Sequence, residues 1–295
     1  MHKYMRAVGF SDYADRSKQK ALLQEIVLNA NNRSYTLNKE GIMLADFCKD
    51  VAPGIGVAVC GEFDDEEKFV YEYYYPYLEG TGVTSYEDVT IEKHAGKDSF
   101  AGVCDDIKVG ISLIFALQDR ISYVTAQTED KLPVKGTSLT LAGLSTEGTI
   151  MIPIEKDEKQ KEQIKENNSN RVNLLAAARK GDEDAIETLT LEDMDIYASI
   201  SKRIMKEDLY SLVDTSLMPY GVECDHYSIL GDIVAMRKVK NEMTGEEIYI
   251  LTISCNELTF DVCINIMDLF GEPQVGRRFK GVIWLQGKVN FPPGF

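Results

Sequence analysis

Histidine is scarce in this sequence, which has three such residues, at positions 2, 94 and 226. A site that uses histidine as a general acid, a general base or a metal ligand therefore has few residues to draw on. The six cysteines contain no C-x-x-C pair, so the common zinc and thiol-redox motifs are missing too. Together with the lack of an export signal, this predicts that the cysteines are reduced residues of the core.

Long apolar segments are missing as well. The first residues, MHKYMRAVGFSDY, contain no apolar run of the length that a signal peptide needs. The longest apolar stretch lies around residues 110–117, whereas a membrane-spanning helix needs about 20 such residues. The sequence therefore predicts a cytoplasmic protein that does not bind a membrane.

Basic residues are outnumbered, because 32 Lys and Arg stand against 48 Asp and Glu, and the formal net charge is −16. A chain with this charge repels the phosphate backbone of nucleic acids at long range. We therefore do not expect nucleic acid as a general partner, although an acidic balance is also a common solubility feature.

The sequence does contain strand patterns on both sides of a helical stretch, which predicts an α+β protein. Its 295 residues are enough for two domains. Residues 1–154 predict a mostly antiparallel sheet with one helix. Residues 155–170 have almost no apolar side chains, which predicts a linker, an exposed loop or a solvated helix. Residues 171–220 predict a helical layer, and residues 221–295 predict a small β-barrel.

The helices are read from apolar spacing and from capping residues. Residues 17–30 place Leu22, Leu23 and Ile26 on one face. In the helical layer, three short helices are expected: Gly181 closes the first, Asp182 caps the second and Thr190 opens the third. One more short helix is predicted around residues 208–213.

Most of the other predicted strands lie in two parts of the chain. Turn residues at 146–148 predict a hairpin between residues 137–142 and 149–154. In the last part of the chain, residues 248–255 and 258–266 are joined by a tight turn, and a final strand covers 279–289. Four strands are clear there and a fifth is not, which still favours a small barrel, with the oligonucleotide/oligosaccharide-binding (OB) barrel as one option.

The run AAARKGDEDAIETLTLEDMDIYASISKRI, continuing into DLYSLVDTSLMPYGVECDHYSILGDI, resembles an uncharacterised bacterial family of similar length. The likeness extends over the whole chain, from MHKYMRAVGFS to FPPGF. It implies a cytoplasmic domain of unknown function, without an assigned activity. The resemblance therefore supplies no functional residues.

Three motifs match part of a known binding or catalytic signature, but none has the surrounding sequence that the signature requires. Gly54-Ile55-Gly56 precedes a strand, whereas a dinucleotide fingerprint precedes a helix. Ser199-x-x-Lys202 lacks the S-D-N and K-T-G elements that accompany it in serine enzymes. Cys224 and His226 share a strand face, but two ligands are too few for zinc without His94 or Cys104. We predict no catalytic residues, no cofactor and no metal.

Two surfaces remain as possible binding sites. Phe69, Tyr71, Tyr73, Tyr75 and Tyr77 alternate along a strand that Pro76 marks as an edge strand. On one face, these rings would stack sugars or bases, or form a dimer interface. The alternative, which we favour, is that the helix at 17–30 covers them.

The final strand provides the second surface. Its alternation places Trp284 between Lys280 and Lys288 on one face, as in barrels that stack single-stranded nucleic acid. The favoured alternative is that Trp284, the only tryptophan, covers the junction with the helical layer.

The functional prediction is accordingly a non-catalytic cytoplasmic protein that acts through contacts with an unknown protein partner or as a homodimer. Its basis is largely negative, because every enzyme motif fails on context. The alternative is a ligand- or single-stranded nucleic-acid-binding role centred on the C-terminal barrel. An enzyme whose active site leaves no sequence motif is a third class that the sequence leaves open.

Overall fold

A computed structural model describes residues 2–13, 15–94, 99–106, 108–132, 136–154, 158–203 and 213–292. The helices are α1 (Arg16–Leu28), α2 (Arg120–Thr128), α3 (Glu158–Arg179) and α4 (Glu183–Arg203), with short 3₁₀ turns at Lys3–Val8 and Ile266–Asp268. The strands are β1 (Asn32–Leu37), β2 (Met43–Ala52), β3 (Ile55–Phe63), β4 (Phe69–Leu78), β5 (Val89–Lys93), β6 (Phe100–Cys104), β7 (Leu113–Leu117), β8 (Ser138–Met151), β9 (Ser216–Pro219), β10 (His226–Lys240), β11 (Glu247–Cys255), β12 (Leu258–Asn265), β13 (Leu269–Phe270) and β14 (Arg278–Asn290). The predicted α+β class is confirmed.

A closed barrel of five strands occupies the C-terminal region, in the order β8, β12, β11, β10, β14 and back to β8. The β8–β12 pair is parallel and the other four pairs are antiparallel. This is the strand order of an OB barrel in which the fifth strand comes first in the chain. The predicted barrel is confirmed. The fifth strand, which was not clear in the sequence, is β8, and it precedes α3 and α4 in the chain.

The hairpin predicted within residues 137–154 is wrong, because residues 138–151 form one long strand. β8 pairs with β14 from Met151↔Arg278 to Ser138↔Asn290. Gly148, read as a turn residue, lies inside this strand, where an added Cβ would come within 2.5 Å of the Phe279 ring. The glycine therefore permits close packing, and the long-range pairing outweighs the local turn preference.

A second, antiparallel sheet has the order β1-β2-β3-β4, so β4 is an edge strand, as Pro76 indicated. Its pairing with β3 shifts between Cys60↔Tyr73 and Gly61↔Tyr71, which makes Glu72 the extra residue of a β-bulge. Because paired residues share a face, Phe69 and Tyr71 lie on one face. Tyr73, Tyr75 and Tyr77 lie on the other, so the prediction of five aromatics on one face is wrong.

The layer between this sheet and the outside of the barrel is one apolar cluster. The turn at Lys3–Val8, which we call the N-terminal turn, and α1 supply Tyr4, Met5, Leu22, Leu23 and Ile26. From the barrel come residues that point away from its interior, including Ile248 and Ile250 of β11, Cys263 of β12 and Trp284 of β14. The predicted helix at 17–30 and its buried face are thus confirmed, within two residues at each end.

The helical stretch forms a hairpin of two long helices. Gly181 has φ +87° after α3, and the side chain of Asp182 accepts a hydrogen bond from the N–H of Ala185, 3.1 Å away, so both predicted end signals are confirmed. The third short helix is wrong, since Thr190 lies within α4 and its hydroxyl bonds the Ile186 carbonyl at 2.8 Å. A threonine inside a helix can bond the carbonyl four residues earlier in this way, so its presence does not require a helix start.

α3 begins at Glu158, so the described part of the segment predicted as a linker is helical. The helix predicted around 208–213 falls largely outside the described residues. The domain limits at 154, 170 and 220 stay a prediction, and the barrel takes one strand from before the first of them. In the described part of the chain, no helix is long and apolar enough to cross a membrane.

Candidate small-molecule pocket

A cavity of about 200 Å³ lies between the barrel strand β14 and the edge strand β4. Five aromatic residues line it together with two aliphatic ones: Tyr73, Tyr74, Tyr75, Phe100, Trp284, Ala116 and Leu117. The polar lining residues are His2, His94, Ser99, Asp225 and Gln286. The cavity therefore combines aromatic walls with a few convergent polar groups, which is typical of small-molecule sites.

Trp284 is held at this place by contacts on several sides. Its indole N–H donates a hydrogen bond to Asp225 Oδ2 at 2.7 Å, and its ring is 8% exposed. The ring of Tyr4 stacks on it with centroids 5.5 Å apart, and the imidazole of His2 lies 4.6 Å away. Trp284 is thus buried against the N-terminal turn and β4, whereas the sequence favoured a junction with the helical layer.

Asp225 is the charged group of the cavity, and it is fixed by its neighbours. It immediately precedes β10, whose first residue, His226, is paired with Trp284. Besides the indole, His226 lies within hydrogen-bond distance, with Nδ1 2.8 Å from Asp225 Oδ1. Burial by itself raises the pKa of Asp225, but the hydrogen bonds from His226 and Trp284 outweigh it and hold the pKa below its usual value. The carboxylate is therefore ionised at neutral pH.

All three histidines of the chain gather around this cavity. His2 and His94 line it, and His226 is the partner of Asp225. Burial lowers the pKa of His2 to about 4, against the opposing attraction of Asp225. His2 is therefore neutral at pH 7. His94 lies within hydrogen-bond distance of Ser99, with Nδ1 and Oγ 3.0 Å apart.

One buried polar atom near the cavity has no partner. The hydroxyl of Tyr4 is buried and makes no hydrogen bond to any residue that the structure describes. Its pKa is raised by burial and by the negative charge of Asp225. An unpaired buried hydroxyl costs free energy, so Tyr4 contributes to the fold through its ring rather than its oxygen.

Three of the six residues predicted as binding surface come together here, namely Trp284, Tyr73 and Tyr75. Tyr71 does not, because the bulge at Glu72 turns it to the opposite face, where it is 53% exposed. Lys280 and Lys288 stand four residues from Trp284 along β14, roughly 13 Å away at the usual rise of a strand. Neither lines the cavity, and the basic strip around the tryptophan stays a prediction.

A larger cleft of about 490 Å³ lies beside the first, and Tyr75 lines both. Lys288 lines this cleft together with four acidic residues: Asp46, Asp50, Glu79 and Asp119. Three of these acids have structural roles. Asp46 pairs with Arg120, Asp50 accepts a hydrogen bond from the hydroxyl of Tyr77 at 2.6 Å, and Asp119 caps α2 by accepting from the N–H of Ser122 at 3.1 Å.

Arg120, the first residue of α2, is buried with 2% of its side chain exposed. Its Nε donates to Asp46 Oδ1 at 2.8 Å, and its Nη2 donates to the carbonyls of Ala45 and Gly61 at 3.3 and 3.1 Å. Its guanidinium carbon lies 5.3 Å from the ring centroid of Tyr73. These contacts fix α2 to the four-stranded sheet, so we assign Arg120 to the fold.

Metal ligation has no support in the geometry. Within the described ranges, no group of three or more His, Cys, Asp or Glu could hold an ion. Cys224, weighed with His226 as a ligand, is exposed. The sequence indicates Asp225 only as a metal ligand and does not indicate His2 and Gln286 as cavity residues. Contacts between distant segments bring them to the cavity, and no local pattern contains these contacts.

Residues 5–287 match the model of a family described as "Domain of unknown function, E. rectale Gene description (DUF3881)". The chain belongs to this family. The resemblance seen in the sequence is confirmed over nearly the whole chain. No curated protein and no solved structure matches it. The family carries no assigned role, so the case for the cavity depends on its geometry.

Proposed function

We propose that this protein binds a small organic molecule in the cavity between β4 and β14. The observation that carries the proposal is the convergence of a fixed carboxylate, imidazole groups and an amide within an aromatic wall. Concave sites with aromatic walls and a few convergent polar groups are the usual form of ligand pockets. The volume of about 200 Å³ is below the usual range of roughly 300–1,000 Å³, which favours a ligand of few heavy atoms.

The face of the barrel that would bind an oligonucleotide is covered by other parts of the protein, which favours a small molecule as the ligand. OB barrels bind oligomers on the face of their second and third strands, which here are β11 and β12. The outward residues Ile248, Ile250 and Cys263 of these strands are buried in the cluster that includes Tyr4 and Met5 of the N-terminal turn. That face is therefore occupied by the protein itself.

Trp284 gives a direct test, because it is the only tryptophan and lines the cavity. A library of small metabolites is titrated while tryptophan emission and melting temperature are recorded. We expect at least one compound to shift both in a saturable way. The same compound should have no effect on Ala116→Leu, in which a larger side chain fills the cavity.

The matched control is Val222→Leu, at a side chain that is 99% exposed. This variant adds apolar volume far from any wall of the cavity and should bind as the wild type does. If no compound shifts the emission of Trp284, or if Ala116→Leu binds equally well, the proposal is wrong.

Contact with another protein is a second candidate, favoured by one feature of α4. Leu191, Met194 and Tyr197 are large apolar residues on this helix, and they are 57%, 64% and 75% exposed. Exposed apolar patches often mark interfaces. Light scattering of the purified protein should then report a dimer, and Met194→Glu with Tyr197→Glu should convert it to a monomer. A wild-type monomer would remove homodimerisation as a function.

A further inference from the structure

The chemistry of the cavity lining also indicates the class of ligand. Asp225 is the one formally charged residue in the lining as the structure describes it, and no Lys or Arg is present. His2 is uncharged at neutral pH because burial lowers its pKa to about 4. An anionic ligand would find no cation to pair with, whereas a cation would face a carboxylate. The net charge of −16 raises the local concentration of cations further.

The aromatic rings provide a second, independent contribution. The rings of Tyr75 and Trp284 have centroids 6.5 Å apart and planes at 89°, so they form two adjoining walls. Tyr73 stacks beside Tyr75 at 6.2 Å and 21°. The faces of such rings are negative and attract a cation within about 6 Å. Tyr73 already has the guanidinium of Arg120, which pairs with Asp46, 5.3 Å from its ring centroid, so the rings of Tyr75 and Trp284 are the ones left for a ligand.

Asp225 keeps room for a further partner. A carboxylate has roughly four acceptor positions, and the indole N–H, the imidazole of His226 and the backbone N–H of Asp225 itself account for three. Its side chain is 23% exposed, so it is not sealed in the way that the side chain of Arg120 is. These hydrogen bonds also fix its orientation, so that little entropy is lost when a ligand binds.

We infer that the ligand is a small organic cation with a methylated ammonium group, held by the rings of Tyr75 and Trp284 and by the carboxylate of Asp225. This inference rests on the proposed small-molecule function. The cavity of about 200 Å³ has the liquid volume of roughly seven water molecules, which suits a ligand of about that many heavy atoms. A bare metal ion fits less well, because Asp225 is the single carboxylate in the lining as described.

The test compares choline with 3,3-dimethylbutan-1-ol, its neutral carbon isostere, on the full-length protein. The two molecules have the same shape and differ in charge. Binding is followed by the emission of Trp284 and by calorimetry. We expect choline to bind at least about tenfold more tightly than the isostere. In Asp225→Asn, this preference should fall to about twofold or less, because the carboxylate is gone.

A pair of variants at Tyr75 isolates the ring. Tyr75→Phe retains the aromatic face and should keep the affinity for choline within about threefold, whereas Tyr75→Leu should weaken it about tenfold. Circular dichroism and thermal melting show whether each variant is folded. Because these variants leave Asp225 intact, they test the inference even if Asp225→Asn does not fold.

The outcomes separate this inference from the proposed function. If choline does not bind at concentrations of up to about 10 mM, which is roughly the weakest affinity of interest, the inference is overturned. Equal binding of choline and its isostere, unchanged by Asp225→Asn, would overturn it as well. In either case, a neutral compound that binds the wild type and not Ala116→Leu would leave the proposed small-molecule function standing.

Discussion

Arg120 and Asp225 are both ionic residues placed among aromatic rings, and they differ in how completely they are satisfied. Arg120 is 2% exposed and donates to a carboxylate and two carbonyls of the adjacent sheet. Asp225 is 23% exposed, and the indole of Trp284 and the imidazole of His226 fix it at the wall of a cavity. A fully paired buried charge holds elements together, while a fixed but incompletely paired charge beside a cavity is available to a ligand.

The largest expected effect breaks the Arg120 cluster. Asp46→Ala removes the carboxylate nearest to the buried guanidinium, at 2.8 Å, and leaves the partly exposed Glu72, 3.6 Å from Nη1, as its acidic neighbour. We expect the free energy of unfolding in urea to fall by about 3–5 kcal/mol. Glu79→Ala is the matched control, since Glu79 is an exposed acid that lines the same cleft, and it should change stability by about 0.5 kcal/mol or less. Equal effects of the two changes would show that Arg120 is not a structural anchor.

The next effect depends on pH and concerns His2, whose pKa is lowered by burial, against the opposing charge of Asp225. Its folded-state pKa of about 4 lies below the unfolded value of 6.5, so the unfolded state binds more protons between these values. Its contribution to stability is thus fully present above pH 6.5 and is lost as the pH falls towards 4. The loss is roughly 1.4 kcal/mol per pKa unit.

Urea titrations at several pH values check this expectation. His2→Gln should flatten the decline of stability between pH 6.5 and 4, and His94→Gln should leave it unchanged, because His94 is exposed. A slope that persists in His2→Gln would mean that His2 is not buried against Trp284 and Asp225.

Asp225→Asn should have a smaller effect on stability than Asp46→Ala. The substitution keeps the shape and replaces charged hydrogen bonds with neutral ones, so we expect a loss of about 1–2 kcal/mol in the urea experiment. A loss as large as that of Asp46→Ala would indicate that Asp225 holds the fold, which would remove the distinction between the two sites.

Tyr4→Phe should have the smallest effect, because the hydroxyl it removes has no partner among the described residues. Stability should stay within about 0.5 kcal/mol of the wild type. Tyr227→Phe is the control: that hydroxyl accepts a hydrogen bond from the N–H of Ile114 at 2.8 Å, and its loss should cost about 1 kcal/mol. If Tyr4→Phe is the more costly change, its hydroxyl has a partner, such as an ordered water.

Much of the fold could be predicted from the sequence, because its signals are local. Apolar spacing located α1, and Asn256 and Glu257, both with positive φ, mark the turn between β11 and β12. The alternation in the last strand placed Trp284 and Ile283 on opposite sides, and they belong to different apolar clusters. Period-two patterns of this kind follow from strand geometry alone.

The features of the fold and of the cavity that could not be predicted depend on pairing between distant segments. Nothing near Gly148 shows that β8 closes the barrel against β14, about 130 residues later in the chain. No feature of the sequence indicates the bulge at Glu72 either, although it determines which tyrosines line the cavity. Trp284, Tyr73 and Tyr75 were found because aromatic residues on strands are conspicuous. Asp225 and His2 become site residues only when the barrel brings them together.

The most direct test of the account is a crystal structure of the protein grown with choline. We predict density for the ligand in the cavity, with its ammonium group about 6 Å or less from the ring centroids of Tyr75 and Trp284 and facing Asp225, while Arg120 keeps its contacts with Asp46. An empty cavity, or choline bound instead in the larger cleft lined by Lys288, would contradict it.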